Sequence, residues 1–152
     1  RIHARVTALA GWLLAELTAM RHSNGMPLVR IYGPTEMHDR GATIAMNFYD
    51  AEERIMNFRR IEQLANERRI SLRTGCFCNP GAGEVANHLS ATEMASCFIN
   101  KERMTFEQFL AVMDGKASGA VRVSLGVASN FADVYSFATF ARSFIDRRAE
   151  EI

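Results

Sequence analysis

The chain has few cysteines, few prolines, no long apolar run and no excess of charge of either sign. Its three cysteines in 152 residues are too few, and too oddly numbered, for a disulfide framework. They point to a reducing compartment, with cytoplasm expected, and to thiols kept for packing or reactivity. No apolar stretch approaches the roughly 20 residues of a membrane helix, and the opening Arg1-Ile2-His3-Ala4 has no apolar signal region. No membrane partner is expected. Eighteen basic side chains against seventeen acidic ones leave a formal charge of +1. With that charge spread along the chain, no footprint for nucleic acid stands out. The densest basic cluster, Arg59, Arg60, Arg68 and Arg69, reads as a solvated helix face. There is no internal repeat and no low-complexity segment. The start is not a methionine, and the first one, Met20, falls inside a helical pattern, so a longer parent polypeptide is expected.

With 48% hydrophobic and 23% charged residues, the chain reads as one soluble domain, residues 1–152, long enough to bury a core. Val6, Leu9, Leu13, Leu17 and Met20 fall at helical spacing, and Ser23-Asn24-Gly25 stops that helix. Leu28 to Tyr32 and Ala42 to Phe48 read as two strands of a hairpin around a polar loop that opens with Gly33-Pro34. A second helix carries Phe58, Ile61, Leu64 and Ala65 on one face and runs into a short strand, Ile70 to Arg73. Capping boxes at Ser90 with Glu93 and Thr105 with Gln108 predict two further short helices. Val121, Val123 and Leu125 alternate with polar residues as a last strand, and Asn130 caps a last helix bearing Val134, Phe137, Ala138, Ala141 and Ile145. The order α-β-β-α-β-loop-α-α-β-α predicts an α+β fold, a small mixed sheet with helices packed against it.

The most informative stretch is Arg73-Thr74-Gly75-Cys76-Phe77-Cys78-Asn79-Pro80-Gly81. It puts two thiols on a loop stiffened by proline and given unusual dihedrals by glycine, just past a strand. A thiol has a reference pKa of about 8.5, so it needs a positive neighbour or a helix N-terminus to be largely thiolate at neutral pH. Arg73 is such a neighbour. The bland alternative makes Cys76 and Cys78 ordinary small turn residues. A metal reading joins them with His88 and Cys97, but it lacks a Cys-x-x-Cys or His-x-x-x-His pair, so no metal is expected. Phe77 reads as a buried anchor of the loop, and His22 and His38 have no partner suggested by the sequence.

Ser71-Leu72-Arg73-Thr74-Gly75-Cys76-Phe77-Cys78-Asn79-Pro80-Gly81-Ala82 resembles the cysteine loop of molybdenum cofactor sulfurases. More broadly it is similar to the Arg-x-Gly-x-x-Cys loop of cysteine desulfurases with the class V aminotransferase fold. A second block, Gly119 to Gly126 followed by Ser129-Asn130-Phe131, resembles that family's closing strand and the start of its last helix. The resemblance runs from about Asn57 onward.

It implies the C-terminal small domain of a pyridoxal-phosphate (PLP) sulfurtransferase, shaped like the C-terminal domain of fold-type I enzymes. In that chemistry a protein thiolate takes sulfur from a cysteine-like substrate and becomes a persulfide. Cys78 is the nucleophile that the resemblance implies. Arg122 would hold the substrate α-carboxylate, whose geometry the planar guanidinium fork matches, and Arg73 would steady the loop or assist the thiolate. PLP would be bound by a large domain of the same polypeptide, because Lys101 and Lys116 sit in contexts unlike the family's lysine segment. The other implied partners are a second copy in a homodimeric parent and a sulfur acceptor, either molybdenum cofactor or a carrier protein. One departure is Gly83, near the place where molybdenum cofactor sulfurases carry another cysteine. Alone, the domain is expected not to catalyse, and its surface for the large domain should be apolar and prone to self-association. Other readings are a different class V reaction, or a free-standing persulfide-carrying module.

Overall fold

The computed structural model describes residues 1–75 and 119–152 of the chain. The cysteine loop beyond Gly75 and the helices expected near Ser90 and Thr105 lie outside the described residues.

Helix α1 (Ile2–Ala19) buries Leu9, Ala10, Leu13, Leu14 and Leu17, the stripe that the spacing predicts. It ends where Met20 turns extended, and a tight turn at Gly25, with φ of 87°, brings the chain back. Strands β1 (Val29–Tyr32) and β2 (Thr43–Phe48) form the expected hairpin, antiparallel, with Val29 opposite Phe48 and Tyr32 opposite Ala45. Helix α2 (Phe58–Glu67) is capped by Asn57, whose side chain accepts from the Arg59 amide at 3.0 Å. Strand β3 (Arg73–Gly75) and strand β4 (Ala120–Ser124) complete an open sheet of order β1-β2-β4-β3. Helix α3 (Phe131–Arg142) follows, with a 3-10 turn at Ala149–Glu151.

The α+β class is borne out. Each pairing among the described strands is antiparallel, so no mixed sheet is seen there. The strand expected at Ile70 to Arg73 begins three residues later, at Arg73, and ends at Gly75. The Ile70 amide donates to the Ala65 carbonyl and the Arg69 amide to that of Asn66, both at 2.9 Å, while Arg69 takes a φ of 58°. This pair of hydrogen bonds at a left-handed residue is a helix stop, and it keeps Ile70 off the sheet.

One sheet face carries Ile44, Met46, Phe48, Val121 and Val123 into a core shared with Leu13, Leu14 and Leu17 of α1, Phe58 and Ile61 of α2, and Phe137 and Phe140 of α3. Each large side chain buried there contributes roughly 1.5–3 kcal/mol. Asn130 caps α3 as expected. Its Oδ1 accepts from the Ala132 and Asp133 amides, and its own amide donates to Asp133 at 2.9 Å.

Two buried polar groups tie distant stretches together. His22 accepts at Nδ1 from the Asp146 amide at 2.9 Å and bonds the Tyr49 carbonyl through Nε2 at 2.8 Å. An amide can only donate and a carbonyl only accept, so these two partners match the tautomer that carries its proton on Nε2. Asp50, 1% exposed, accepts from the Glu52 and Arg54 amides, the Arg54 Nε and the Ala149 amide at 2.8–3.1 Å. Outside the core, Trp12 packs edge-on to Phe131 at 4.8 Å, and Phe131 and Tyr135 are each 54% exposed. No helix among the described residues is long and apolar enough to cross a membrane.

Candidate functional site

In antiparallel strands, residues directly opposite one another point to the same side of the sheet. Tyr32 is opposite Ala45, Ala45 opposite Arg122, and Arg122 opposite Arg73. These four therefore form one row across the whole sheet, on the face away from the helix-packed core. A neighbouring row holds Arg30 opposite Asn47 and Gly75 opposite Ala120. On this face the described strands carry Arg30, Arg73 and Arg122 and no carboxylate. Alternation alone produces this sorting, because the odd-facing residues of the same strands are the core.

The two arginines singled out in the sequence are thus brought together as cross-strand partners. Arg122 is half-buried on the inner strand β4, and Arg73 is exposed on the edge strand β3. Like charges set opposite one another repel, and an anion held between them is favoured by both. Cys78, the expected nucleophile, lies outside the described residues, as do Cys76, Phe77, His88, Cys97, Lys101 and Lys116. No group of three or more His, Cys, Asp or Glu poised for a metal occurs among the described residues.

The cysteine-bearing stretch leaves the described fold at Gly75 and returns at Gly119. These two glycines touch. A Cβ on Gly119 would stand 2.9 Å from the Gly75 Cα, 3.0 Å from its carbonyl carbon and 3.1 Å from the Phe58 ring. Such distances are closer than side-chain carbons tolerate, so glycine is required at 119. Gly75 itself takes a φ of 113°, open to glycine and rarely adopted by other residues.

Sequence reasoning missed the polar cluster that borders this junction. Asn47, 1% exposed, donates through Nδ2 to the Tyr32 hydroxyl at 3.0 Å and to the Gly119 carbonyl at 3.1 Å. The Tyr32 and Tyr49 hydroxyls lie 3.4 Å apart, and the Arg30 guanidinium stacks 4.7 Å above the Tyr49 ring. Burial, reinforced by the Tyr49 hydroxyl, pushes the Tyr32 phenol well above its ordinary range, so it stays neutral and serves only as a hydrogen-bonding group. One signal was available: an asparagine in an apolar strand, where this residue type is depleted.

A PLP Schiff base needs a lysine amine. Both lysines lie outside the described residues, and no described side chain can make that bond.

No family model matches the chain. Curated sequences do. A molybdenum cofactor sulfurase of Arabidopsis thaliana is 33% identical over 150 residues, covering 91% of this chain and 17% of that protein. One of Drosophila yakuba is 32% identical, over 100% of this chain and 21% of that protein. One of Homo sapiens is 32% identical, over 87% of this chain and 15% of that protein. The chain spans only about a fifth or less of the length of these relatives. With about a third of its positions identical along nearly its whole length, the chain is related in sequence to the molybdenum cofactor sulfurases.

Proposed function

We propose that this chain is the C-terminal domain of a PLP-dependent sulfurtransferase of the molybdenum cofactor sulfurase kind. In this reading it brings the persulfide-forming thiol and the carboxylate-binding arginine to a cofactor held elsewhere in a longer polypeptide. The observation that carries the reading is the pairing of Arg122 with Arg73 in the strand pair from which the cysteine stretch departs. Cys78 stands three residues beyond Gly75, which at about 3.3–3.6 Å per residue tethers it within about 11 Å of the sheet. Arg122 is two residues along β4 from Ala120, the partner of Gly75.

The roles follow from the chemistry of the groups. Arg122 anchors the substrate carboxylate through two parallel hydrogen bonds, so that the substrate sulfur is presented in a fixed orientation. Arg73 adds positive potential at the foot of the loop, which favours the thiolate of Cys78 over its thiol. The thiolate attacks the substrate sulfur, and an S–S bond forms as the substrate C–S bond breaks; the bonding pair stays with the substrate carbon, where bound PLP would stabilise it, a proton completes alanine, and the persulfide is left for delivery to an acceptor. The work is cytoplasmic, and the second subunit of the parent is a copy of itself.

The test is mass spectrometry of the full-length parent incubated with PLP and cysteine, with Cys78→Ala and Cys76→Ala variants beside it. A 32-dalton sulfur adduct, as expected from one sulfur atom transferred to a thiol, should vanish with Cys78→Ala and persist with Cys76→Ala. Turnover of another amino acid without any adduct would sink the sulfur-transfer reading and leave a different class V reaction in its place.

A further inference from the structure

We infer that a small cavity beside β1 binds a free α-amino acid with a small side chain, its carboxylate on Arg30 and its ammonium on Glu53. The cavity measures about 160 Å³ and is lined by Met26, Pro27, Val29, Arg30, Tyr49 and Glu53. Pockets for drug-sized ligands and cofactors run to roughly 300–1,000 Å³, so this one has room for a molecule of only a few heavy atoms.

Two opposite charges share the cavity without meeting. The Arg30 guanidinium lies 4.7 Å above the centre of the Tyr49 ring and has no ion pair or hydrogen bond among the described residues. Stacking holds its planar fork in place and leaves the edge donors open, the arrangement that grips a carboxylate. Glu53 stands on the turn from Asp50 to Arg54. There Arg54 is already engaged by Asp50, Glu52 and Glu150 at 2.7–2.9 Å. Glu53 takes a left-handed φ of 62°, with its amide donating to the Asp50 carbonyl at 3.1 Å. It lines the cavity, and its carboxylate has no partner among the described residues.

One charge is anchored by stacking and the other by its turn, so they stay apart. A lone anion would gain Arg30 and be repelled by Glu53, and a lone cation would meet the reverse. A molecule that carries both charges close together satisfies each wall, and an α-amino acid is the small molecule with that form. Met26 and Pro27 give its side chain an apolar wall. Strand β2 lies between β1 and β4, so this site is separate from the Arg122 and Arg73 pair and does not depend on the sulfur-transfer reading.

A residue-resolved NMR titration of this chain with alanine tests the inference. Alanine should shift the amide signals of Arg30, Tyr49 and Glu53 saturably, with a dissociation constant of about 1 mM, as expected for two solvent-screened charge pairs. Propionate, which lacks the ammonium, and ethylamine, which lacks the carboxylate, should each bind about tenfold more weakly. Arg30→Gln and Glu53→Gln change exposed side chains, and each should weaken alanine binding about tenfold while signals elsewhere hold their positions. No saturable shift up to about 50 mM alanine, equal binding of either one-charge ligand, shifts centred on Arg73 and Arg122, or unaltered binding in both variants would overturn it. The one-charge ligands need no substitution, so they decide the matter even where a variant disturbs the fold.

Discussion

Arg122 and Arg73 differ in where the sheet puts them. Arg122 is half-buried on an inner strand and Arg73 is exposed on the edge, so substitution should separate their contributions. Arg122→Lys retains the charge but loses the planar fork. In the full-length parent it should raise KM for cysteine by about tenfold, the loss expected for one of two charge-assisted hydrogen bonds. Arg73→Lys should change KM by less than about threefold, as expected for a screened surface charge. Equal effects in a cysteine titration would put the carboxylate elsewhere. At this scale the sequence was readable where a residue's neighbours are set by alternation, as for Arg122. It was not where the partner is distant. His22 meets Tyr49 and the Asp146 amide, 27 and 124 residues away, and nothing near His22 in the chain announces either. Asn47 was passed over for the same reason, since its bond to Gly119 spans 72 residues.

At the scale of elements, caps and stops decided the boundaries. Asn130 was legible as a cap because it stands directly before the helical run, whereas its reciprocal partner Asp133 emerged only in the structure. Asn130→Ala removes the acceptor for two amides and should cost about 1 kcal/mol, seen as a fall of roughly 2–4 °C in the thermal midpoint of a chain of this size. No change in a melting curve would mean that α3 is held by packing alone. The displaced strand β3 shows the opposite case. Ile70, Leu72 and their neighbours have the composition of a strand, yet the α2 stop takes the Ile70 amide for the Ala65 carbonyl. Arginine at the left-handed position of that stop conceals it, because glycine is the usual sign.

For the molecule as a whole, the β1–β2 hairpin and the helix-covered face follow from alternation and amphipathic spacing, whereas the sheet order and the seams that close the fold do not. Those seams are carboxylates. Burial pushes the Asp50 carboxyl up most, but the amides of Ala149, Arg54 and Glu52 and the Arg54 guanidinium together outweigh it and hold it below the usual range. The Ser23 hydroxyl and amide hold Asp146 low in the same way. A carboxyl whose folded value lies below its unfolded one binds fewer protons when folded, so its contribution is fully present above the unfolded value near pH 4 and disappears as pH falls through the folded value. Chemical denaturation should therefore show stability steady from neutral pH to about 5 and falling below about 4, with Asp50→Asn flattening that decline. A decline unaltered in that variant would assign it to other carboxylates. The meeting of Gly75 with Gly119 has a consequence of a different kind. All three cysteines and both lysines of the chain fall between these two glycines, so the residues that build the described scaffold contain no thiol and no lysine amine. The described scaffold and the groups proposed to react lie in separate stretches of the sequence. Because the two ends already touch, residues can be gained or lost between them without altering the gap the backbone must span, and the added entropy of closure grows only slowly with length. Such an arrangement lets that stretch change in length without disturbing the pairing of β3 with β4.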